Sequence, residues 1–308
     1  MLGSVLNVLS CILSDFNSDS VDVLSVFGVI MIVLSLFDGM SCGMLALKRA
    51  GIQVDSYFAS EIDKYAVQVS KKNWSDIIHI GDVTQVKYKD GVLQTQFGSY
   101  KTKIDMVIGG SPCTSFSVAG DGSGFNGESG LFFEYLRILR EVNPKYFLLE
   151  NVVMKKQWEE VINNELGVKP IMINSALVSA QSRKRLYWTN IGGVTQPQDK
   201  GVLLKDVLEC NVVKDAVKPT ERNLRHKVYH DGKSLCCTAT MYKGAGNNGM
   251  SLIDRGYGLT CLTPIECERL QTLPDDYTSG VSNTQRYKMI GNGWTVDVVA
   301  HIFSFIGK

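Results

Sequence analysis

Cys113 closes the run Gly109-Gly110-Ser111-Pro112-Cys113, directly after the apolar stretch Ile104-Asp105-Met106-Val107-Ile108. An apolar run ending in glycines reads as a buried strand that delivers a loop at its C-terminal edge. In open α/β sheets that edge is where ligands bind. A free cysteine is more often core filler than nucleophile, but one placed on a proline-stiffened loop at a strand end is positioned to react. Two further groups keep it company. Tyr146-Phe147-Leu148-Leu149 ends at Glu150-Asn151-Val152, a strand-end carboxylate suited to general-acid work if burial raises its pKa. Gln181-Ser182-Arg183-Lys184-Arg185 leads into Leu186-Tyr187-Trp188. Arginines two apart share one side of an extended chain, and a guanidinium suits carbonyl and phosphate oxygens. A thiol, a carboxylate and two guanidiniums are the parts of covalent catalysis.

A second set of residues reads as a nucleoside site. The strand Met31 to Phe37 runs into Asp38-Gly39-Met40-Ser41-Cys42-Gly43. Glu61 ends the next strand, Tyr57-Phe58-Ala59-Ser60, 22 residues after Gly39, the spacing at which an acid accepts hydrogen bonds from ribose hydroxyls. Asp82-Val83 follows a third apolar run, Ile77 to Ile80. The glycines do not follow the GxGxxG pattern of dinucleotide sites, and three acids would repel a pyrophosphate. A cationic, hydroxyl-rich nucleoside such as S-adenosyl-L-methionine fits them better; three solvated loop acids is the plainer alternative.

The elements that must position these groups follow in order. Met44 to Ala50 reads as a helix closed by Gly51, and Leu131 to Glu141 as one with an apolar face. A helix over 155–165 and a strand from Ile171 to Val178 come next. The Ser/Gly-rich stretch 114–131 reads as a lid. From about 190 to 258 alternation gives way to loops, with the basic stretch Arg222 to Lys227. Thr263-Pro264 then starts a helix, and Gly291-Asn292-Gly293 introduces a last helix, Trp294 to Phe305. Four segments result: an extension over 1–30, an α/β region over 31–190, a small loop-rich region over 191–258, and a C-terminal segment over 259–308.

Composition narrows the class. With 308 residues, 44% hydrophobic and 20% charged, the chain can bury a sizeable core. Eight scattered cysteines and four histidines, with no CxxC pair, argue against a metal site and a disulfide framework; reduced thiols suit the cytoplasm. The uncharged stretch Val23 to Phe37 is too short for a membrane span. No basic residue precedes Lys48 to make a secretory signal. The net charge is only +1, yet residues 181–260 carry nearly twice as many Lys and Arg as Asp and Glu, which suggests a polyanion bound locally.

With these residues in view, the sequence resembles the DNA (cytosine-5) methyltransferases from about Ile32 to Ile306. FDGMSCG, the strand-end acids, GGSPCTSFS, ENV, QSRKR, TPIECERLQ and GNGW occur in family order. Between Ser35 and Asn190 it is similar to the animal de novo branch, whereas its compact size is bacterial or phage-like. The resemblance implies an α/β fold: a Rossmann-like methyltransferase sheet with helices on both faces, plus a small loop-rich target-recognition domain. It implies that Phe37, Asp38, Gly39, Met40, Cys42 and Gly43 cradle S-adenosyl-L-methionine, with Glu61 at the ribose, Asp82 and Val83 at the adenine, and Ile62 also in the cofactor site. Pro112 and Leu131 join that site, and Asn292, Gly293 and Trp294 close it. Cys113 is then the nucleophile, Glu150 and Arg185 bind the target cytosine, and Arg183 supports them.

The implied substrate is double-stranded DNA with the base flipped out, straddled by the lid and the basic region, and the cofactor product is S-adenosyl-L-homocysteine. A cognate restriction endonuclease is a compatible partner; no membrane or metal is implied, and the setting is the cytoplasm of a bacterial or phage-infected host cell. Thr260 stands where family members often carry a basic residue, so that phosphate contact is either missing or supplied by Arg255. Two alternatives stay open, a tRNA enzyme of the same family and a catalytically silent accessory subunit. The second predicts damage to Cys113, Glu150, Arg185 or the cofactor acids, and all are intact.

Overall fold

A computed structural model describes residues 30–112, 128–210, 212, 214–245 and 249–308. The extension up to residue 29, Cys113 and the 114–127 part of the expected lid lie outside the described residues. The chain opens with β1 (Ile30–Leu36), α1 (Cys42–Arg49), β2 (Gln53–Ser60), α2 (Lys64–Asn73) and the short β3 (Ile78–His79). An antiparallel meander follows, β4 (Lys87–Lys89), β5 (Val92–Thr95) and β6 (Gly98–Lys101), which the sequence reading did not anticipate. Then come β7 (Met106–Gly109), α3 (Phe132–Val142), β8 (Tyr146–Val152), α4 (Lys156–Leu166), β9 (Ile171–Asn174) and β10 (Lys184–Thr189). The strand expected to reach Val178 stops at Asn174, whose side chain accepts from Ala176 N and turns the chain into a short helical turn.

The main sheet has the order β3-β2-β1-β7-β8-β10-β9. Its strands are parallel except β10, which runs against both neighbours. Successive side chains of a strand point to opposite faces, and here both faces are covered. Met31 and Val33 of β1, Met106 and Ile108 of β7, and Leu148 of β8 pack in one core with α1 and α2. Leu34, Leu36, Val107, Phe147 and Leu149 pack in the other with α3 and Ile162 of α4. Burial on both faces is why these strands read as unbroken apolar runs.

The C-terminal part comprises α5 (Glu221–Leu224), β11 (Lys227–Val228), β12 (Leu252–Asp254), β13 (Leu259–Cys261), α6 (Pro264–Leu270), α7 (Asn283–Asn292) and α8 (Val296–Phe303). Thr263 and Glu266 cap α6 reciprocally, with Pro264 at its start. β11, β12 and β13 form a small sheet that crosses the boundary expected at residue 258. Val228 and Ile253 of this sheet and the neighbouring Met250 share one cluster with Cys267, Leu270 and Ile290, so the small region and helices α6 and α7 bury a common surface. α8 returns to the first core beside α1. Among the described residues no helix is long and apolar enough to cross a membrane.

Candidate active site

The chain leaves β1 for β2 on one side and later enters β7 on the other, which makes a topological switch point at their carboxyl ends. A cleft of about 390 Å³ opens there. The turn after β1 that forms one wall is sharply wound: Phe37, Gly39 and Ser41 all take left-handed backbone conformations, with φ of 57°, 61° and 63°. Such strain persists only where surroundings hold it. Here Asp38 N donates to Ser60 O at 3.0 Å, and Gly39 N donates to Glu61 Oε2 at 2.8 Å. Glu61 Oε1 accepts from Ile62 N and Asp63 N, both at 2.8 Å. The turn after β1 and the acid after β2 therefore fix each other.

Of the catalytic candidates, Glu150 and Arg185 meet in the same cleft. Glu150 is 8% exposed and uses both carboxylate oxygens: Arg185 Nε lies 3.0 Å from Oε1, and Trp294 Nε1 donates to Oε2 at 3.1 Å. Arg185 arrives there because β10 is antiparallel, pairing Arg185 with Val152 and Tyr187 with Glu150, so its start falls at the edge where β8 ends. Gly110 permits this closeness, since a Cβ there would sit 3.0 Å from Trp294 Nε1 and 3.1 Å from Glu150 Oε2. Pro112, the residue before Cys113, lines the cleft. Asn151, not singled out from the sequence, donates to Ser111 O and Oγ at 3.3 and 3.2 Å and ties that loop to β8. Its only sequence signal is its place beside Glu150.

Of the residues expected at the cofactor, Phe37, Asp38, Gly39, Met40, Cys42, Glu61, Ile62, Asp82, Val83, Pro112, Leu131, Asn292, Gly293 and Trp294 line the cleft. Gly43 does not. A Cβ on it would lie 2.5 Å from Ile108 Cδ1 and 2.8 Å from Tyr57 Oη, so its bareness lets α1 sit down on the sheet. The Asp38 carboxylate also departs from expectation: it turns inward, accepting from Ser41 Oγ at 2.5 Å and Tyr57 Oη at 2.7 Å. Burial, opposed by these hydrogen bonds, pushes its pKa up to about 6. Burial likewise pushes the Cys42 thiol up to about 12, which keeps it a neutral neighbour of the cleft.

Arg183 is buried and donates to Cys237 O at 2.7 Å, Gly291 O at 3.2 Å and Gly293 O at 3.0 Å, a brace between three chain segments. Of the two alternatives for the phosphate contact, supply by Arg255 is disfavoured, because that side chain is spent inside the fold. Its guanidinium pairs with the fully buried Glu266 at 2.6 and 2.8 Å and donates to Thr260 Oγ1 at 2.9 Å. Lys288 was missed: it lines the cleft and pairs with Asp63 at 2.9 Å. Its position one helical turn before Asn292 was the available signal. Among the described residues no group of His, Cys, Asp and Glu could hold a metal ion.

Fold and cleft together define an α/β protein whose cleft opens at the carboxyl ends of its parallel strands. Comparison with known proteins gives the family. Residues 31–193 and 182–308 match the C-5 cytosine-specific DNA methylases. The chain is 30% identical over 305 residues to the Type II methyltransferase M1.ScrFI of Lactococcus lactis subsp. cremoris, covering 87% of this chain and 75% of that protein. It is 27% identical over 320 residues to the Type II methyltransferase M.Bsp6I of Bacillus sp. (strain RFL6), covering 90% and 98%. The solved structure of the Entamoeba histolytica methyltransferase EhMeth has the same fold, with a TM-score of 0.72 at 18% identity over 91% of this chain and 98% of that one. The chain belongs to the C-5 cytosine-specific DNA methylase family. It is a methyltransferase, and its reaction is methylation of cytosine C5 in DNA.

Proposed function

We propose that the cleft binds S-adenosyl-L-methionine and that Cys113, Glu150 and Arg185 act on a cytosine flipped out of double-stranded DNA. The observation that carries this reading is the convergence, in one cleft, of the Glu61 and Asp82 loops with Pro112, Glu150 and Arg185. The lining fits the cofactor. The cleft volume lies within the range of small-molecule sites, about 300–1,000 Å³. Glu61 spends three of its carboxylate's acceptor positions on backbone amides, which leaves Oε2 able to take a hydroxyl. Ile62, 76% exposed, offers an apolar surface to a purine, and Glu61, Asp63 and Asp82 disfavour a pyrophosphate.

When bound, the cofactor supplies an electrophilic methyl group. The chain's own residues prepare the base. Cytosine C5 is too weak a nucleophile unaided, so the Cys113 thiolate adds to C6 while Glu150 protonates or hydrogen-bonds N3, which places electron density on C5. Once C5 carries the transferred methyl group, a base takes the C5 proton, the C–H electron pair reforms the C5–C6 double bond and Cys113 leaves C6 as the thiolate, so one hard step becomes easier ones. Arg185 at the ring O2 stabilises charge that develops during attack. Arg183 acts as the brace that holds Arg185's neighbourhood.

The test is tritiated-methyl transfer from S-adenosyl-L-methionine to unmethylated DNA, with tRNA in parallel and Cys113→Ser alongside, followed by base-resolution mapping. Label at cytosine C5 of DNA, lost in the variant, is expected. Label in tRNA alone would overturn the DNA reading, and near-normal turnover by Cys113→Ser would overturn the nucleophile. The mapped site also tests pairing with a restriction endonuclease in the same cytoplasm: product DNA should resist an endonuclease that cleaves there.

A further inference from the structure

Arg185 is held at all three guanidinium nitrogens. Nε lies 3.0 Å from Glu150 Oε1, Nη1 donates to Lys184 O at 2.9 Å, and Nη2 donates to Cys236 Sγ at 3.9 Å. The first two partners belong to the main sheet, whereas Cys236 comes from the small loop-rich region. Arg183 reaches the same sulfur, donating from Nη1 at 3.4 Å while also bonding Cys237 O at 2.7 Å. The half-buried Cys236 thus stands between the two guanidiniums.

The segment that carries this sulfur is firmly mounted. Cys237 N donates to Gln181 Oε1 at 3.2 Å. Gly291 of α7 lies so close that a Cβ on it would overlap the Thr238 carbonyl and the Ala239 amide. Arg183, through Cys237 O on one side and Gly291 O and Gly293 O on the other, binds the segment to the end of α7. A group mounted this way holds a fixed geometry toward its partner.

Acceptor strength gives the contact its meaning. A carboxylate opposite Nη2 would make a charge-assisted bond that a neutral ligand could displace only at high cost, whereas a thiol sulfur is a weak acceptor. We infer that Cys236 is a positioning residue for Arg185. It holds the guanidinium in line with Glu150 and gives Nη2 a resting partner that a pyrimidine carbonyl oxygen readily displaces. The region assigned to reading the target then contributes directly to the geometry of the catalytic pair. This inference rests on the assignment of Arg185 to the target cytosine.

Single-turnover DNA methylation by Cys236→Ala, Cys236→Ser, Arg185→Ala and Arg185→Ala/Cys236→Ala tests it. Cys236→Ala should slow the single-turnover rate about fivefold, the effect of losing one weak orienting hydrogen bond, with cofactor and DNA affinity and Tm unchanged. Cys236→Ser, which keeps an acceptor, should restore most of that rate. In the Arg185→Ala background the Cys236→Ala change should add nothing, because the two side chains act as a unit. A wild-type rate for Cys236→Ala overturns the inference, as does a loss that persists unchanged in the Arg185→Ala background or comes with a lowered Tm. Full activity of Arg185→Ala would instead overturn the assignment of Arg185 itself.

Discussion

Substituting Asp38 by Asn isolates one buried titration. The Asp38 carboxyl is 9% exposed, and burial raises its pKa from 3.8 to about 6 against the pull of Ser41 and Tyr57. In the unfolded chain it titrates near its ordinary value. Between those two values the folded protein keeps a proton that the unfolded chain has released. Stability therefore falls as pH rises through the window, and the loss is complete above the folded value. Roughly two units at about 1.4 kcal/mol each amount to about 3 kcal/mol. Asp38→Asn also disturbs the hydrogen bonds from Ser41 and Tyr57, but that cost is the same at every pH and drops out of the slope. Urea unfolding of both proteins from about pH 4 to about pH 7.5 should show Asp38→Asn gaining on wild type by about 2.5 kcal/mol across the series, the remainder of the loss falling below pH 4. A difference that stays flat would mean that the carboxyl keeps its ordinary pKa in the fold, and the burial reasoning would fail.

Three further outcomes are expected. Gly291→Ala forces α7 away from Thr238 and Ala239; overpacking of this kind costs about 1–3 kcal/mol, so a thermal scan should show a lowered Tm, and an unchanged one would refute the contact. Glu150→Gln removes the charge facing Arg185 and should slow single-turnover methylation about 100-fold or more with DNA affinity nearly kept; a defect in affinity alone would give Glu150 a positioning role instead. Replacing Arg222, Arg225 and Lys227 by Gln should flatten the salt dependence of DNA binding by less than three full charges, because Arg225 already pairs with Glu221 at 2.9 Å and Lys227 faces Asp254 at 3.8 Å. An unchanged slope would take that stretch out of the DNA path.

Much of the site was legible because the chemistry sits where apolar runs stop. Phe37, Glu61 and Gly110 each follow a strand of the main sheet, and Glu150 lies within β8 directly after its apolar run; such runs announce both themselves and their ends. The α6 start was legible for a local reason, since Thr263, Pro264 and Glu266 satisfy the helix end among themselves. Where a side chain's partner is distant in sequence, the reading failed. Nothing near Arg255 says that Glu266 claims it, and nothing near Asp38 says that Tyr57 turns its carboxylate inward. The meander of β4, β5 and β6 went unread because its strands are short and half-exposed.

Read along the chain, the residues already place a thiol, carboxylates and two guanidiniums at or near strand ends, in an order that matches the family. Those facts are local, carried by residue type and by burial pattern along the chain. Which of these groups meet depends on how the strands and helices pack. A period of two says that Arg183 and Arg185 lie on an extended chain, but not which way the strand runs. Because β10 runs antiparallel to β8, Arg185 lands against Glu150 at the sheet's carboxyl edge. The same holds for Trp294, which closes on Glu150 from 144 residues away, and for Cys236, whose sulfur reaches Arg185 across 51. Direction and long-range closure come from how the two cores pack, and no local pattern encodes them.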